Sequence, residues 1–195
     1  MKDITLGYAF CGSFCTIKQS LSALEQLCRL PIKVKPIMSE IVYKTDTRFG
    51  TANELIEKVE ELCKEKIIHT IVDAEPLGPA VPLDALIIAP CTGNTLAKIA
   101  SGITDTAVTM AAKAHLRSDR PLMIALATND AMSQNLQNIA KMLTRRSVYF
   151  VPMHQDDPER KPHSLVADFG RIREVLEGAM LGREVRPLFL GADKT

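Results

Sequence analysis

Four apolar residues without polar alternation, Leu86-Ile87-Ile88-Ala89, run into Pro90 and then Cys91-Thr92-Gly93-Asn94-Thr95. A strand of that kind offers no face to water, so it belongs inside a parallel sheet covered on both sides. Pro90 is expected to stop the strand, and the polar turn then opens a helix. Hydroxyls, an amide, a flexible glycine and the unpaired N–H groups of a helix N-terminus together suit a phosphate. The same residues also make an ordinary N-cap, so the choice rests on the rest of the chain.

With 195 residues, 46% of them hydrophobic, the chain is long enough for one well-buried core and short for two. A single domain over residues 1–195, with a tail from 182, is expected. A formal net charge of +1 provides no field for nucleic acid or an anionic membrane surface. The cysteines at 11, 15, 28, 63 and 91 are odd in number and lack paired CxxC spacing. That argues against a disulfide framework and a metal site, and for a reducing cytoplasm. No run reaches the roughly 18 apolar residues of a membrane span, and Met1-Lys2-Asp3 leads into a strand rather than a signal peptide.

Taken in order, Ile4–Phe10 reads as a strand, Cys11-Gly12-Ser13-Phe14-Cys15-Thr16 as a turn, and residues 17–30 as a helix. Ile32–Met38 is a second strand closed by Ser39-Glu40, and the loop at 43–50 carries Lys44 and Arg48, either solvated or able to close over an anion. Residues 52–65 have helical spacing, with Leu55, Ile56, Val59 and Leu62 on one face. A strand is expected over 67–72 with His69 as a core histidine, then a proline-rich connection at 73–83. The polar turn after Leu86-Ile87-Ile88-Ala89 should open a helix whose small-residue stretch, 98–114, permits tight packing on the sheet or on another subunit. A strand at 121–127, the turn Thr128-Asn129-Asp130, a helix at 131–143, a strand at 147–152, a polar loop at 154–162 and an amphipathic helix at 164–181 follow. His154 and His163 flank that last loop without an acidic partner at metal-ligand spacing. Strands alternating with helices indicate an α/β, Rossmann-like three-layer sandwich with a parallel sheet. Ser13, Ser39, the 92–95 turn and the 128–130 turn then share one rim, outside the carboxyl ends of the strands where ligands collect. Neither GxGxxG nor GxxxxGK[ST] occurs, which disfavours a dinucleotide or a P-loop nucleotide.

APCTGNTLAKIASGITD resembles the APxTANTxxKxAxGxxD signature of the homo-oligomeric flavin-containing decarboxylase family, and CGSFC and Ser39 extend the resemblance over most of the chain. The resemblance implies a flavodoxin-like flavoprotein fold with FMN held by Gly12, Ser13, Phe14, Ser39, Thr92, Asn94, Thr95 and Asp105. It implies trimers or dodecamers with flavin pockets shared between neighbours. The chain departs from the decarboxylases in two places: the stretch 75–79 has no histidine before the signature strand, and Leu126-Ala127-Thr128-Asn129-Asp130 replaces PxMN. Decarboxylation needs a proton-transfer group and an amide on the substrate carboxylate, so a decarboxylase acting alone is disfavoured. Within the family the chain looks closest to a branch that works in the mother cell of spore-forming bacteria. That implies oxidation of a dihydrodipicolinate-type ring to dipicolinate, with NADP on a nicotinamide-binding partner subunit. Asn94 and Asn129, as catalytic candidates, and Lys44 and Arg48, as substrate-binding candidates, supply the amides and cations a dicarboxylate calls for. A flavin-dependent decarboxylase acting alone and a non-catalytic FMN- or phosphate-binding partner subunit stay as the alternatives.

Overall fold

Why an unalternating apolar run can be a strand is visible at the centre of the computed structural model, which describes residues 4–78 and 80–191. Strand β3 (Ala85–Cys91) is buried at every position. Leu86 and Ile88 pack with Leu96, Ile99, Val108 and Ile139 on one face, while Ile87 and Ala89 pack with Leu24, Val59 and Leu176 on the other. The two faces bury successive side chains in two separate cores, so each residue must be apolar.

The chain runs β1 (Ile4–Phe10), a 3-10 turn (Phe14–Thr16), α1 (Ile17–Cys28), β2 (Ile32–Met38), α2 (Glu40–Lys44), α3 (Ala52–Cys63), α4 (Ile71–Ala74), then β3. It continues through α5 (Gly93–Ser101), α6 (Ala107–Leu116), β4 (Leu122–Thr128), α7 (Leu136–Leu143), β5 (Val148–Phe150), β6 (Met153–His154), β7 (Leu165–Ala167) and α8 (Ile172–Ala179). Strands β2, β1, β3, β4 and β5 are parallel in that order. This is the doubly wound 2-1-3-4-5 order, with its switch point between β1 and β3. Helices cover both faces, as the α/β sandwich expectation required.

Several local expectations are corrected. The strand passes through Pro90 to Cys91, with a register shift after Ile88. Residues 67–72 are not a strand: only Ile68 bridges to Ile37, because Thr70 accepts the Asp73 N–H at 3.1 Å and caps α4. His69 accordingly leaves the core and stacks on Tyr43, ring centroids 3.7 Å apart. The small-residue helix is broken into α5 and α6 at Gly102, whose left-handed φ of +75° ends α5. The helix expected from residue 131 starts only at Leu136, after turns built on Asp130. The amphipathic segment at 164–181 is part strand, with β7 lying antiparallel on the end of β4 and on β6. A C-terminal stretch is tied down, since Met153 donates to the Leu188 carbonyl at 2.9 Å and accepts from Leu190 at 2.8 Å. Met1-Lys2-Asp3, Pro79 and residues 192–195 lie outside the described residues. Among those described, no helix is long and apolar enough to cross a membrane.

At the rim opposite the strands' carboxyl ends, His115 of α6 is 1% exposed, with Nε2 2.8 Å from the Pro121 carbonyl and Nδ1 without a partner. A ring donating from Nε2 leaves Nδ1 as a bare lone pair, so the imidazole is neutral. Burial lowers its pKa, opposed by the Pro121 carbonyl and aided by Arg120. The unfolded chain takes up this proton near pH 6.5, the folded chain only at lower pH. Between the two the unfolded state binds more protons, so stability present at neutral pH is lost as pH falls below that value. Urea midpoints at pH 7.5 and 5.5 should therefore drop more for the wild type than for His115→Gln, which keeps a donor toward Pro121. Equal drops would refute the assignment.

Candidate functional site

Two cavities open at the carboxyl ends of β1, β2, β3 and β4, and they share Gly12 and Thr92. The backbone stitches this rim together: Ser39 N–H donates to the Phe10 carbonyl at 3.0 Å and Cys11 N–H to the Pro90 carbonyl at 3.1 Å.

The first, a groove of about 660 Å³, is lined by Gly12, Ser39, Lys44, Thr92, Asn94, Thr95 and Lys98 among others. Its floor is the start of α5. Thr92 accepts the Thr95 N–H at 3.2 Å and donates to the Thr95 hydroxyl at 3.1 Å, a side-chain cap on a nine-residue helix. Thr92 is thus the N-cap that the sequence allowed, and the cap leaves the amides of Gly93 and Asn94 without intrahelical partners. Facing this helix start, Ser39 is 8% exposed and its hydroxyl is buried without any hydrogen-bond partner. A buried hydroxyl left unpaired costs about 1–3 kcal/mol, a cost relieved by a ligand acceptor in the groove. Lys98 adds a cation on the wall, 2.8 Å from Asp105, which its ammonium holds below the usual carboxylate range. The unpaired amides of Gly93 and Asn94, an orphaned hydroxyl and an ammonium together fit the phosphate end of FMN.

The second cavity, about 750 Å³, is lined by Gly12, Ser13, Phe14, Thr92, Asn129 and the β6–β7 segment with His154, Asp156 and Lys161. Lys161 pairs with Asp156 at 2.6 Å, and Asp156 also accepts the hydroxyl of Ser164 at 2.6 Å. That carboxyl lies below its ordinary pKa through these partners, against the opposing effect of burial.

The candidate residues are therefore divided. Gly12, Ser39, Lys44, Thr92, Asn94 and Thr95 meet in the groove, while Ser13, Phe14 and Asn129 line the adjoining cavity with Gly12 and Thr92. Asp105 is 53% exposed at its side chain and reaches the groove only through Lys98. Lys44 is paired with Glu40 at 2.8 Å. Arg48 is exposed on the loop, with its guanidinium 4.8 Å from the Phe49 ring, and lines neither cavity. Sequence reasoning missed Lys98, although it occupies the lysine of the TxxK signature, and missed His154, Asp156 and Lys161, which had no local signal. Cys91 is fully buried, and burial pushes its thiol well above the ordinary range, as burial pushes Cys11 up to about 11. Neither is a poised thiolate at neutral pH.

Residues 1–177 match the Flavoprotein family. The chain belongs to that family. Among its relatives, the B component of dipicolinate synthase from Bacillus subtilis (strain 168) is 37% identical over 190 residues, which cover 97% of this chain and 95% of that protein. The crystal structure of the same component from Bacillus halodurans superposes with a TM-score of 0.89 at 39% identity, covering 98% and 99% of the two chains. A dodecameric FMN-dependent UbiX-like decarboxylase from Escherichia coli O157:H7 shares the fold at a TM-score of 0.61 and 23% identity, over 76% of this chain and 80% of that one. The fold is thus shared with a protein described as a decarboxylase.

Proposed function

We propose that this chain is the flavoprotein subunit of a two-subunit dipicolinate synthase, oxidising a dihydrodipicolinate-type ring beside a nicotinamide-binding subunit. What carries this reading is similarity to the B component of dipicolinate synthase over nearly the whole of both chains. Support for FMN comes from the orphaned Ser39 hydroxyl facing the Thr92-capped start of α5. Ser39, the α5 amides including the Asn94 backbone N–H, Thr95 and Lys98 hold its phosphate end. FMN bound there supplies a two-electron acceptor. NADP belongs to the partner subunit, and a homo-oligomer completes each pocket with a neighbour.

Oxidation of the dihydro ring to the aromatic ring removes two electrons and two protons, so the substrate must be held by its carboxylates while the ring loses both. Asn94 on the groove side and Asn129 on the cavity side of Gly12 and Thr92 orient those carboxylates by amide N–H donation, with Lys44 as the added cation. The chain acts in the mother cell cytoplasm of a spore-forming organism.

The test is reconstitution. The purified chain should show a flavin visible spectrum, and with the nicotinamide-binding subunit it should form dipicolinate. Asn94→Ala and Asn129→Ala should each lower that rate by roughly 10²-fold, the usual cost of one preorganised donor. Unaltered rates in both variants would remove the catalytic assignment. A colourless chain that still stimulates its partner fully would favour a non-catalytic subunit.

A further inference from the structure

Where the family signature has alanine, this chain has Gly93, and the structure gives the reason. A Cβ on Gly93 would run into the Asn135 amide, sit 2.6 Å from the Thr128 hydroxyl and 2.8 Å from Asp130 Oδ1. Those three groups form one network. Thr128 donates to Asp130 Oδ1 at 2.5 Å, and the Asn135 side-chain amide donates to Asp130 Oδ2 at 2.9 Å. The Asp130 carbonyl accepts the Asn135 backbone N–H at 3.0 Å, and the Asn135 side-chain oxygen accepts from Asn138 at 2.8 Å. Asn135 is 5% exposed, with Thr128 and Asp130 half-buried beside it, so the network is anchored in the protein through Asn135.

We infer that Asp130, with Asn135, is a positioning residue that sets where the first turn of α5 stands, and so sets the preference of the groove for a phosphorylated flavin. This rests on the flavin reading of the groove. Asp130 ties the end of β4 to the start of α7, and the surface so formed abuts the first residue of α5 with no room for a methyl group. Thr128 and Asp130 flank Asn129, which lines the cavity, while Gly93 leads into Asn94 and Thr95 of the groove. One carboxylate therefore sets the spacing between the two walls. It also places a negative charge beside the flank of the α5 N-terminus that faces Asn129. An anionic ligand is left the opposite flank, where Ser39 and Lys98 stand.

The test is a double-mutant cycle in the full chain, reading FMN and riboflavin affinity by flavin fluorescence. The ratio of the two isolates the phosphate, which a general loss of packing does not. Gly93→Ala should lower that ratio about tenfold, and Gly93→Ala with Asn135→Ala, which removes one of the three groups the methyl meets and leaves the Thr128 hydroxyl and Asp130, should recover part of that loss. Asp130→Asn, which retains the shape but not the double acceptor, should lower the ratio without Gly93→Ala and serves if that variant does not fold. A double variant no better than the product of the single ones, or a ratio unmoved in Gly93→Ala and Asp130→Asn, would overturn the assignment. A wild type that binds both flavins equally defeats the flavin reading instead. The positioning claim is then decided by unfolding midpoints of the same four proteins, where additive shifts would overturn it.

Discussion

Replacing Ser39 with alanine is expected to move stability and flavin affinity in opposite directions. The Ser39 hydroxyl is buried with no partner and makes no cap bond to α2, although Ser39 stands at that helix's N-cap position. Removing it takes away an unpaired polar group, which should raise the stability of the flavin-free chain by about 1 kcal/mol. In the proposed complex the same hydroxyl would donate to a phosphate oxygen, and a hydrogen bond to a charged group contributes about 1.5–3 kcal/mol, so affinity should fall at least about tenfold. Urea unfolding without flavin and fluorescence titration with FMN read the two effects separately. A loss of stability together with unchanged affinity would mean that Ser39 serves the fold and not the ligand.

Phe10→Ala should lower stability, by more than any surface change. Phe10 is fully buried, its ring 5.1 Å from that of Tyr8, and it closes β1 directly before the Gly12 turn. Tyr8 in turn donates to the Ser20 carbonyl at 2.9 Å, and Ser20 donates to the Ala89 carbonyl at 2.5 Å, so this cluster ties α1 to the end of β3. Truncating the ring leaves a cavity that β1 and its partners cannot collapse into, at a cost of about 3–5 kcal/mol. For a chain of this size the melting temperature should fall by on the order of 10 °C. Because the Phe10 carbonyl holds the Ser39 N–H, flavin should restore part of that loss through its preference for the folded state. A melting temperature within a few degrees of wild type would show that the core repacks around the missing ring.

The sequence carried the parts of this protein that short-range physics decides. β1 and β2 were readable to the residue because a largely apolar run in one, and alternating then apolar residues in the other, each bounded by turn formers, have few other solutions. Thr92 was readable as a cap, and the amphipathic stripe of α3 was readable from its spacing. Local reading failed where a short-range cue opposed a pattern. The β-branched run at 67–72 looked like a strand, yet Thr70 and Asp73 start a helix there. Gly102 split a helix that small residues made look continuous. The antiparallel pair β6 and β7 went unseen because two- and three-residue strands have no periodicity of their own. With them went His154, Asp156 and Lys161, which no nearby residue marks as belonging to a cavity.

Sequence alone thus determined that polar turns end the parallel strands, since the connection of each strand to its helix is local and the hand of the crossover is set by chain chirality. It also determined the kind of ligand that turn could take, because a capped helix start carries its unpaired amides wherever it is placed. Only the tertiary structure decided which turns meet. Sheet order puts β1 between β2 and β3, so Ser39 faces Thr92 in a groove while Asn129, one strand further, looks into a different cavity. The same packing made Gly93 obligatory beside Asp130 and left Arg48 outside. Those are contacts between residues far apart in the chain, and the side chains that make them become defined only when the sheet has formed.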